Sequence, residues 1–227
     1  MLHPLSWQDG VPTSTLYDDI YFSKDSGLLE TNHVFLDGNN LPQRWSDITG
    51  SFHIIETGFG TGLNFFAAWK LLCEQTNNIN LHYTSIEKHP LSINDIRQAI
   101  SLWPEMDHFI EEFFLQYPFN FHGESALLLN NDKIHLNLLW GDVNNILPSI
   151  NNQADAWFLD GFSPQKNPDM WNDILYAEMA RLTNAGGTFA TFTSSGNVRR
   201  GLQKNGFTVT KASGFGKKRH ILVGVKN

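Results

Sequence analysis

From Phe52 onward the chain alternates short apolar runs with segments whose apolar positions recur every three or four residues. "FHIIET" is the first such run, followed by a glycine-rich turn and a helical pattern from Leu63 to about Glu74. "LHYTSIEK" and the helix "LSINDIRQAI" repeat the unit. So do "IHLNLLWGD" with the short helix "VNNILPSI", and "ADAWFLDG" with a helix from about Trp171 to Thr183 beyond the loop "FSPQKNPDM". "GGTFATFT" precedes the helix "GNVRRGLQKNG", and "FTVTKAS" and "KRHILVGVK" read as two strands joined through a glycine-rich turn. "HIIE", "DAWFL" and "FATF" are apolar without alternation, as expected of parallel strands covered by helices on both faces. The pattern predicts an α/β fold, a doubly wound, Rossmann-like sheet of about seven strands.

Two stretches break the alternation. Residues 1–50 are irregular and rich in Asp, Ser, Asn and Pro, with short strand-like pieces in "DDIYFS" and "ETNHVFLDGNNL". They predict an N-terminal extension packed on a core domain formed by residues 51–227. Residues 101 to about 133, helical over "WPEMDHFIEEFFLQYP" and looser afterwards, predict a helical insertion.

Composition narrows the class. A chain of 227 residues with 41% hydrophobic and 13% aromatic residues can bury one sizeable core and has the profile of a folded protein. No apolar run approaches the ~20 residues that cross a bilayer, and "MLHPLSWQDG" lacks the basic and apolar regions of a secretory signal, so a cytoplasmic location is expected. Cys73 is the only cysteine, which excludes an internal disulfide; its place in an apolar helix predicts a small buried hydrophobe. The nine histidines show no paired ligand spacing, and no metal is expected.

The net charge of −7 hides an asymmetry. Beyond Glu178 there are nine Lys or Arg and no acid, against seven basic and 23 acidic residues before that point. A basic face on an acidic body is a plausible footprint for nucleic acid.

In a doubly wound sheet the ligand lies beyond the carboxyl ends of the strands. The first strand ends in Glu56-Thr57-Gly58-Phe59-Gly60-Thr61-Gly62. Alternate glycines permit a tight turn and close approach to backbone N–H groups at a helix start. A dinucleotide fingerprint would place a third glycine at position 63, where the residue is Leu63. The acid at Glu56 would repel a pyrophosphate and hold an ammonium group, directly or through water. S-adenosylmethionine has an ammonium, a sulfonium and no phosphate, so it is favoured over NAD.

Glu87, at the end of the second strand, can accept hydrogen bonds from both hydroxyls of a ribose, a trait shared by NAD sites. Asp142, after the third, can accept from an adenine amino group while Val143 packs on the ring, and it serves equally well as a helix N-cap. Asp160, after the fourth, faces the transfer point: it can accept a hydrogen bond from an incoming amine, aim its lone pair and help remove the released proton. Phe162 can pack on a substrate base or face the sulfonium.

These strand ends resemble those of class I S-adenosylmethionine-dependent methyltransferases. The runs "DDIYFS", "GLLETNHVFLDGN", "ETGFGTGLNF", "EKHPL", "DAWFLDGFSPQKNPDMW", "GGTFATFTSSGNVRRGLQKNGF" and "GFGKKRH" resemble, from about Asp18 to Val225, the MnmC and MnmD family of bacterial tRNA wobble-uridine methyltransferases. The resemblance implies methylation of the primary amine of 5-aminomethyl-2-thiouridine in tRNA, with residues 51–227 as the methyltransferase domain. It implies S-adenosylmethionine as cofactor, held by Glu56, Gly58, Phe59, Gly60, Gly62, Asn64, Glu87, Lys88, Asp142, Val143 and Asp160, with Asp160 and Phe162 at the transfer site. Arg199, Arg200, Lys217, Lys218 and Arg219 match basic positions of the family and are assigned to the tRNA backbone. Many relatives continue into a flavin-binding domain that prepares the aminomethyl group, and such a domain or separate protein is an expected partner. Two other readings are a non-catalytic RNA-binding module on the same fold and an NAD-dependent oxidoreductase, which lacks its third glycine.

Overall fold

The computed structural model describes residues 2–8, 10–23, 26–216 and 218–227. Its centre is an eight-stranded sheet. The strands are β4 (Gly50–Thr57), β5 (Ile79–Glu87), β6 (Gly123–Leu129), β7 (Ile134–Trp140), β8 (Ala154–Leu159), β9 (Thr183–Thr191), β10 (Phe207–Ser213) and β11 (His220–Lys226). Their spatial order is β10-β11-β9-β8-β4-β5-β7-β6. The five from β7 to β9 run parallel, while β6, β10 and β11 complete the sheet through antiparallel pairings.

Side chains of successive strand residues point to opposite faces. Ile54, Ala156 and Phe158 therefore join one apolar cluster with α3 (Leu63–Glu74), α4 (Ile93–Ile100) and α5 (Asp107–Phe114). Ile55, Trp157 and Leu159 join a second cluster with α6 (Val143–Ile146), α7 (Asp173–Leu182) and α8 (Gly196–Lys204). Both faces are covered, which accounts for the unalternating strands. Local caps start the helices at the expected places: Ser92 Oγ accepts from Asp95 N, Asp142 from Asn144 N, and Asn172 from Ile174 N and Leu175 N.

Three expectations need correction. The eighth strand, β6, occupies what reads as the looser end of an insertion. It pairs antiparallel with β7 across a turn in which Asn130, Asn131 and Asp132 all take positive φ, and only Leu127 and Leu129 of its apolar residues are buried. An edge strand so thinly anchored leaves a weak apolar pattern. Cys73 is exposed, not buried: it lies on the outer side of the last turn of α3, while Leu71 and Leu72 of that turn join the apolar cluster. "ETNHVFLDG" is helical: α1 (Gly27–Thr31) runs into a wide π-helical turn at Asn32–Asp37, followed by α2 (Leu41–Asp47). A short apolar run such as "HVFL" does not by itself separate a buried helix from a strand. Val34, Phe35 and Leu36 are all buried, and Asn39 pins the turn by donating to the carbonyls of Phe35 (2.9 Å) and Trp157 (3.2 Å). Ahead of it, β1 (Leu5–Gln8), β2 (Val11–Ser14) and β3 (Asp19–Ile20) form a small antiparallel sheet.

The order of the large sheet creates the site. From β4 the chain steps to β5 and β7 on one side, then returns to β8 on the other. Neighbouring strands β4 and β8 thus send their following segments to opposite faces, opening a crevice at their carboxyl ends.

Two outcomes follow for stability. Gly62, the N-cap of α3, has φ +77°, and an added Cβ would lie 2.9 Å from Phe59 Cζ and 3.1 Å from Phe66 Cε2. Gly62→Ala is expected to cost at least ~1–2 kcal/mol, the left-handed penalty alone, read as a lower urea midpoint; an unchanged midpoint would contradict it. His53, His82 and His135 lie side by side across β4, β5 and β7, with ring centroids 6.4 and 4.8 Å apart. Burial, then the neighbouring imidazole, pushes the His82 pKa below its ordinary value. Below about pH 6.5 the unfolded chain therefore takes up a proton that the folded chain resists, so this contribution to stability is present above that pH and lost as the pH falls through the folded value. His82→Gln should gain on the wild type between about pH 7.5 and about pH 5.5 in paired urea titrations. An equal difference at both pH values would remove His82 from the acid limb.

Candidate cofactor and transfer site

The carboxyl ends of the parallel strands open onto a cavity of about 770 Å³. Its floor is the turn after β4, where Gly58, Gly60 and Gly62 all have positive φ (+82°, +53° and +77°). Gly58 N donates to Ile86 O at 2.8 Å, tying the turn to β5. Glu87 then clamps it: Oε2 accepts from Gly60 N at 2.8 Å and Oε1 from His89 N at 2.6 Å. Burial pushes the Glu87 carboxyl up, and these backbone donors pull against that shift. Glu87 also lines the cavity.

Glu56 takes a different place from the one expected. It is fully buried and stands behind the cavity wall, so direct contact with a ligand ammonium is closed to it. Its Oε1 accepts from Asn64 Nδ2 at 3.0 Å, and Oε2 lies 2.7 Å from Ser85 Oγ. Burial pushes its carboxyl well above the usual carboxylate range. Asn64, in the first turn of α3, stands between Glu56 and the cavity and donates from the same nitrogen to Asp160 Oδ2 at 2.7 Å. Thr31 Oγ1 donates to its amide oxygen at 3.0 Å. Gly62 also stays off the lining; it starts α3, while Gly58, Phe59 and Gly60 face the cavity.

Asp160 is held from three sides: Asn64 on Oδ2, Gly161 N on Oδ1 at 2.8 Å, and Thr57 Oγ1 donating to its carbonyl at 2.6 Å. Burial raises its pKa to about 6 against the bonds from Gly161 N and Asn64. Asp142 forms the N-cap of α6 and an ion pair with Lys88 Nζ at 2.9 Å. Against burial, the bonds from Lys88 and Asn144 hold its pKa below the usual value. Lys88, Asp142 and Val143 all line the cavity.

Part of the wall comes from the N-terminal segment, from which the sequence suggested no site residue. Tyr17 stacks on Phe162 with centroids 4.5 Å apart, and Tyr21 meets the same ring edge-on at 5.2 Å. The Tyr17 hydroxyl lies 3.1 Å from His89 Nε2, and Ser163 N donates to Asp19 at 3.2 Å. The loop after β8 is thus seated on residues 17–21. Glu30 and Thr31 of α1 complete this side. "DDIYFS" carried the one available signal, aromatic side chains within an acidic, polar stretch.

The basic residues do not form one group. Lys217 lies outside the described residues. Lys218 lines the cavity, paired with Glu30 at 2.7 Å. Arg219 is exposed on the turn between β10 and β11. Arg199 and Arg200 belong to α8: Arg200 is exposed and bonded to Asn197, while Arg199 is half-buried, its Nε without a hydrogen-bond partner among the described residues. Among the described residues no helix is long and apolar enough to cross a membrane, and no group of three His, Cys, Asp or Glu is placed to hold a metal ion.

The sequence model of a family described as S-adenosyl-L-methionine-dependent methyltransferase matches residues 104–227. The chain is 49% identical over 220 residues to the tRNA 5-methylaminomethyl-2-thiouridine biosynthesis bifunctional protein MnmC of Chromobacterium violaceum, covering 96% of this chain and 33% of that protein. It is 47% identical over 223 residues to the protein of the same name from Methylobacillus flagellatus, covering 97% and 34%. The chain spans about a third of the length of these relatives. Among solved structures, MnmC2 from Aquifex aeolicus superposes with a TM-score of 0.78 at 25% identity, over 98% of this chain and 70% of that one. The family match extends over more than half of the chain, and on that match the chain belongs to the S-adenosyl-L-methionine-dependent methyltransferases, its similarity among them running to MnmC.

Proposed function

We propose that this protein transfers a methyl group from S-adenosylmethionine to the primary amine of 5-aminomethyl-2-thiouridine at the wobble position of tRNA, in the cytoplasm. The observation that carries the reading is Asp160, a carboxylate held by Asn64 and Gly161 N at the edge of the cavity, with a pKa of about 6. The names of the MnmC relatives supply the substrate class. A flavin-dependent oxidoreductase, as a further domain or a separate protein, would prepare the amine.

The residues fit the cofactor. The positive-φ glycines let a ligand approach the backbone, Glu87 has lone pairs left for ribose hydroxyls, Val143 offers an apolar face beside Asp142, and a phosphate-free ligand suits a wall with this many carboxylates. When bound, S-adenosylmethionine supplies a methyl group on a positively charged sulfur. Asp160 accepts a hydrogen bond from the substrate amine, which points the nitrogen lone pair into the cavity. A primary ammonium has no lone pair to offer, so the amine must first lose a proton; Asp160, ionised at neutral pH, takes it and passes it to solvent. Asn64 holds the Asp160 carboxylate in place, and Glu56 holds Asn64. Phe162, braced by Tyr17 and Tyr21, gives a flat apolar surface for the base.

Label from methyl-labelled cofactor should pass to tRNA that bears the aminomethyl group and not to tRNA that lacks it. Cofactor binding without transfer would leave a binding module. The rate should rise with pH through a limb near Asp160's value of about 6, because the ionised form is the active one. Asp160→Asn should abolish that limb and lower kcat by ~10²-fold or more, the usual weight of a positioned base. Retained turnover would remove Asp160 from the transfer step. Asn64→Ala removes a donor that favours the charged carboxylate, so the limb should move to higher pH. A drop in rate with the limb unmoved would make Asn64 a purely structural residue.

A further inference from the structure

The cavity contains a second charged pair that the proposed transfer step does not use. Glu30 reaches it from α1, and Lys218 from the turn between β10 and β11. Lys218 Nζ lies 2.7 Å from Glu30 Oε1 and 4.9 Å from the centroid of the Phe192 ring, and all three residues line the cavity. Both charges are felt at Asp160, Lys218 favouring its ionised form and Glu30 opposing it. The cavity that Asp160 lines therefore already holds a primary alkylammonium, seated on a carboxylate and against an aromatic face.

An aminomethyl group at neutral pH is the same chemical object, an ammonium on a methylene. A carboxylate with a neighbouring aromatic ring binds either one by a charge-assisted hydrogen bond and a cation–π contact. The two partners of the pair are unequally fixed. The Glu30 side chain is 21% exposed and carried on a packed helix, whereas that of Lys218 is 48% exposed on a turn and can withdraw into water at little cost. We propose that Glu30 and Phe192 form the subsite that recognises the substrate's ammonium group before it is handed to Asp160, and that Lys218 is a resident stand-in which the substrate displaces. The inference rests on the aminomethylated substrate of the preceding section and adds the residues that select it. Glu30 would also repel a wobble substituent ending in a carboxylate, giving the site discrimination as well as affinity.

The competing role for Lys218 is a phosphate contact, which would strengthen binding to tRNA whatever its wobble substituent. Affinities of the full chain for two anticodon stem-loop RNAs, identical except for the aminomethyl group, separate the roles. The wild type should prefer the aminomethylated RNA. Glu30→Gln should reduce that preference about tenfold, the weight of one charge-assisted hydrogen bond, while binding of the unmodified RNA and of S-adenosylmethionine stays within about twofold. Lys218→Met should leave binding of the unmodified RNA unchanged and tighten binding of the aminomethylated one, because the competing ammonium is gone. A preference that survives Glu30→Gln overturns the subsite, as does an equal weakening of both RNAs by Lys218→Met. If the wild type neither prefers nor methylates the aminomethylated RNA, the functional reading itself fails and the subsite with it. Methylation by the wild type with the preference intact in Glu30→Gln removes the subsite alone.

Discussion

The side-chain amide of Asn64 is the point on which this structure turns. A carboxamide offers two N–H donors and one carbonyl. Here the nitrogen reaches Glu56 on β4 and Asp160 after β8, and the oxygen accepts from Thr31 on α1. Four elements therefore meet on one buried group. An unpaired amide at that depth would cost about 1–3 kcal/mol, and two carboxylates so near one another resist being ionised together. Glu56, fully buried and away from the cavity, is the one pushed far toward its protonated form by burial. Asp160, at the cavity edge, is left to titrate near neutrality. Glu56 and Asp160 are thus joined through one amide, the first behind the cavity wall and the second at its edge.

The sheet order supplies the rest of the arrangement. The crevice between β4 and β8 exists because the chain leaves those neighbours for opposite faces. The glycine turn forms its floor, held by Gly58 N on Ile86 O and by Glu87, at the end of the next strand, on Gly60 N. Glu87 is then both the brace of the loop and a wall of the cavity. The loop after β8 is fixed in turn by the N-terminal segment, through the stack of Tyr17 on Phe162 and the bond from Ser163 N to Asp19. Fold and site are built from the same contacts, so the geometry of the strand ends is held as firmly as the core beneath them.

Much of this is legible in the chain itself. Alternating runs give the sheet and helices, and the missing glycine at Leu63 with the carboxylates at four strand ends gives the class of ligand. What escapes is of three physical kinds. The first is direction: Glu56 is where an ammonium-binding acid belongs, but its side chain turns into the core, and the residue facing the cavity in its place is Asn64, eight positions on. No local pattern reports which buried neighbour intervenes. The second is distance along the chain. Tyr17 meets Phe162 and Glu30 meets Lys218 across more than half of the sequence, so a polar N-terminal stretch shows little beyond the aromatic residues of "DDIYFS" to mark it as a cavity wall. β6 and the "HVFL" helix fail for a third, simpler reason, being too short or too thinly buried for periodicity to speak.

The charge asymmetry along the chain has to be read with those contacts in view. A basic end following an acidic body suggests an uninterrupted cationic surface, yet several of its members are spent on the protein itself. Arg181 is held by Glu178 and by the carbonyls of Leu147 and Ile150, Lys218 by Glu30, and Lys226 lies over the Phe207 ring. Among the described residues beyond Glu178, the other exposed cations are Arg200 and Lys204 on α8, Lys211 on β10 and Arg219 on the turn that follows. Counterion release scales with the number of phosphates neutralised, so cations already paired within the protein add less to a polyanion contact than their number along the chain suggests. Under the proposed function, selection would then fall to the cavity, whose aromatic wall and carboxylates would meet the base and its amine. What the basic end offers a partner thus follows from where its charges are paired more than from how many the chain contains.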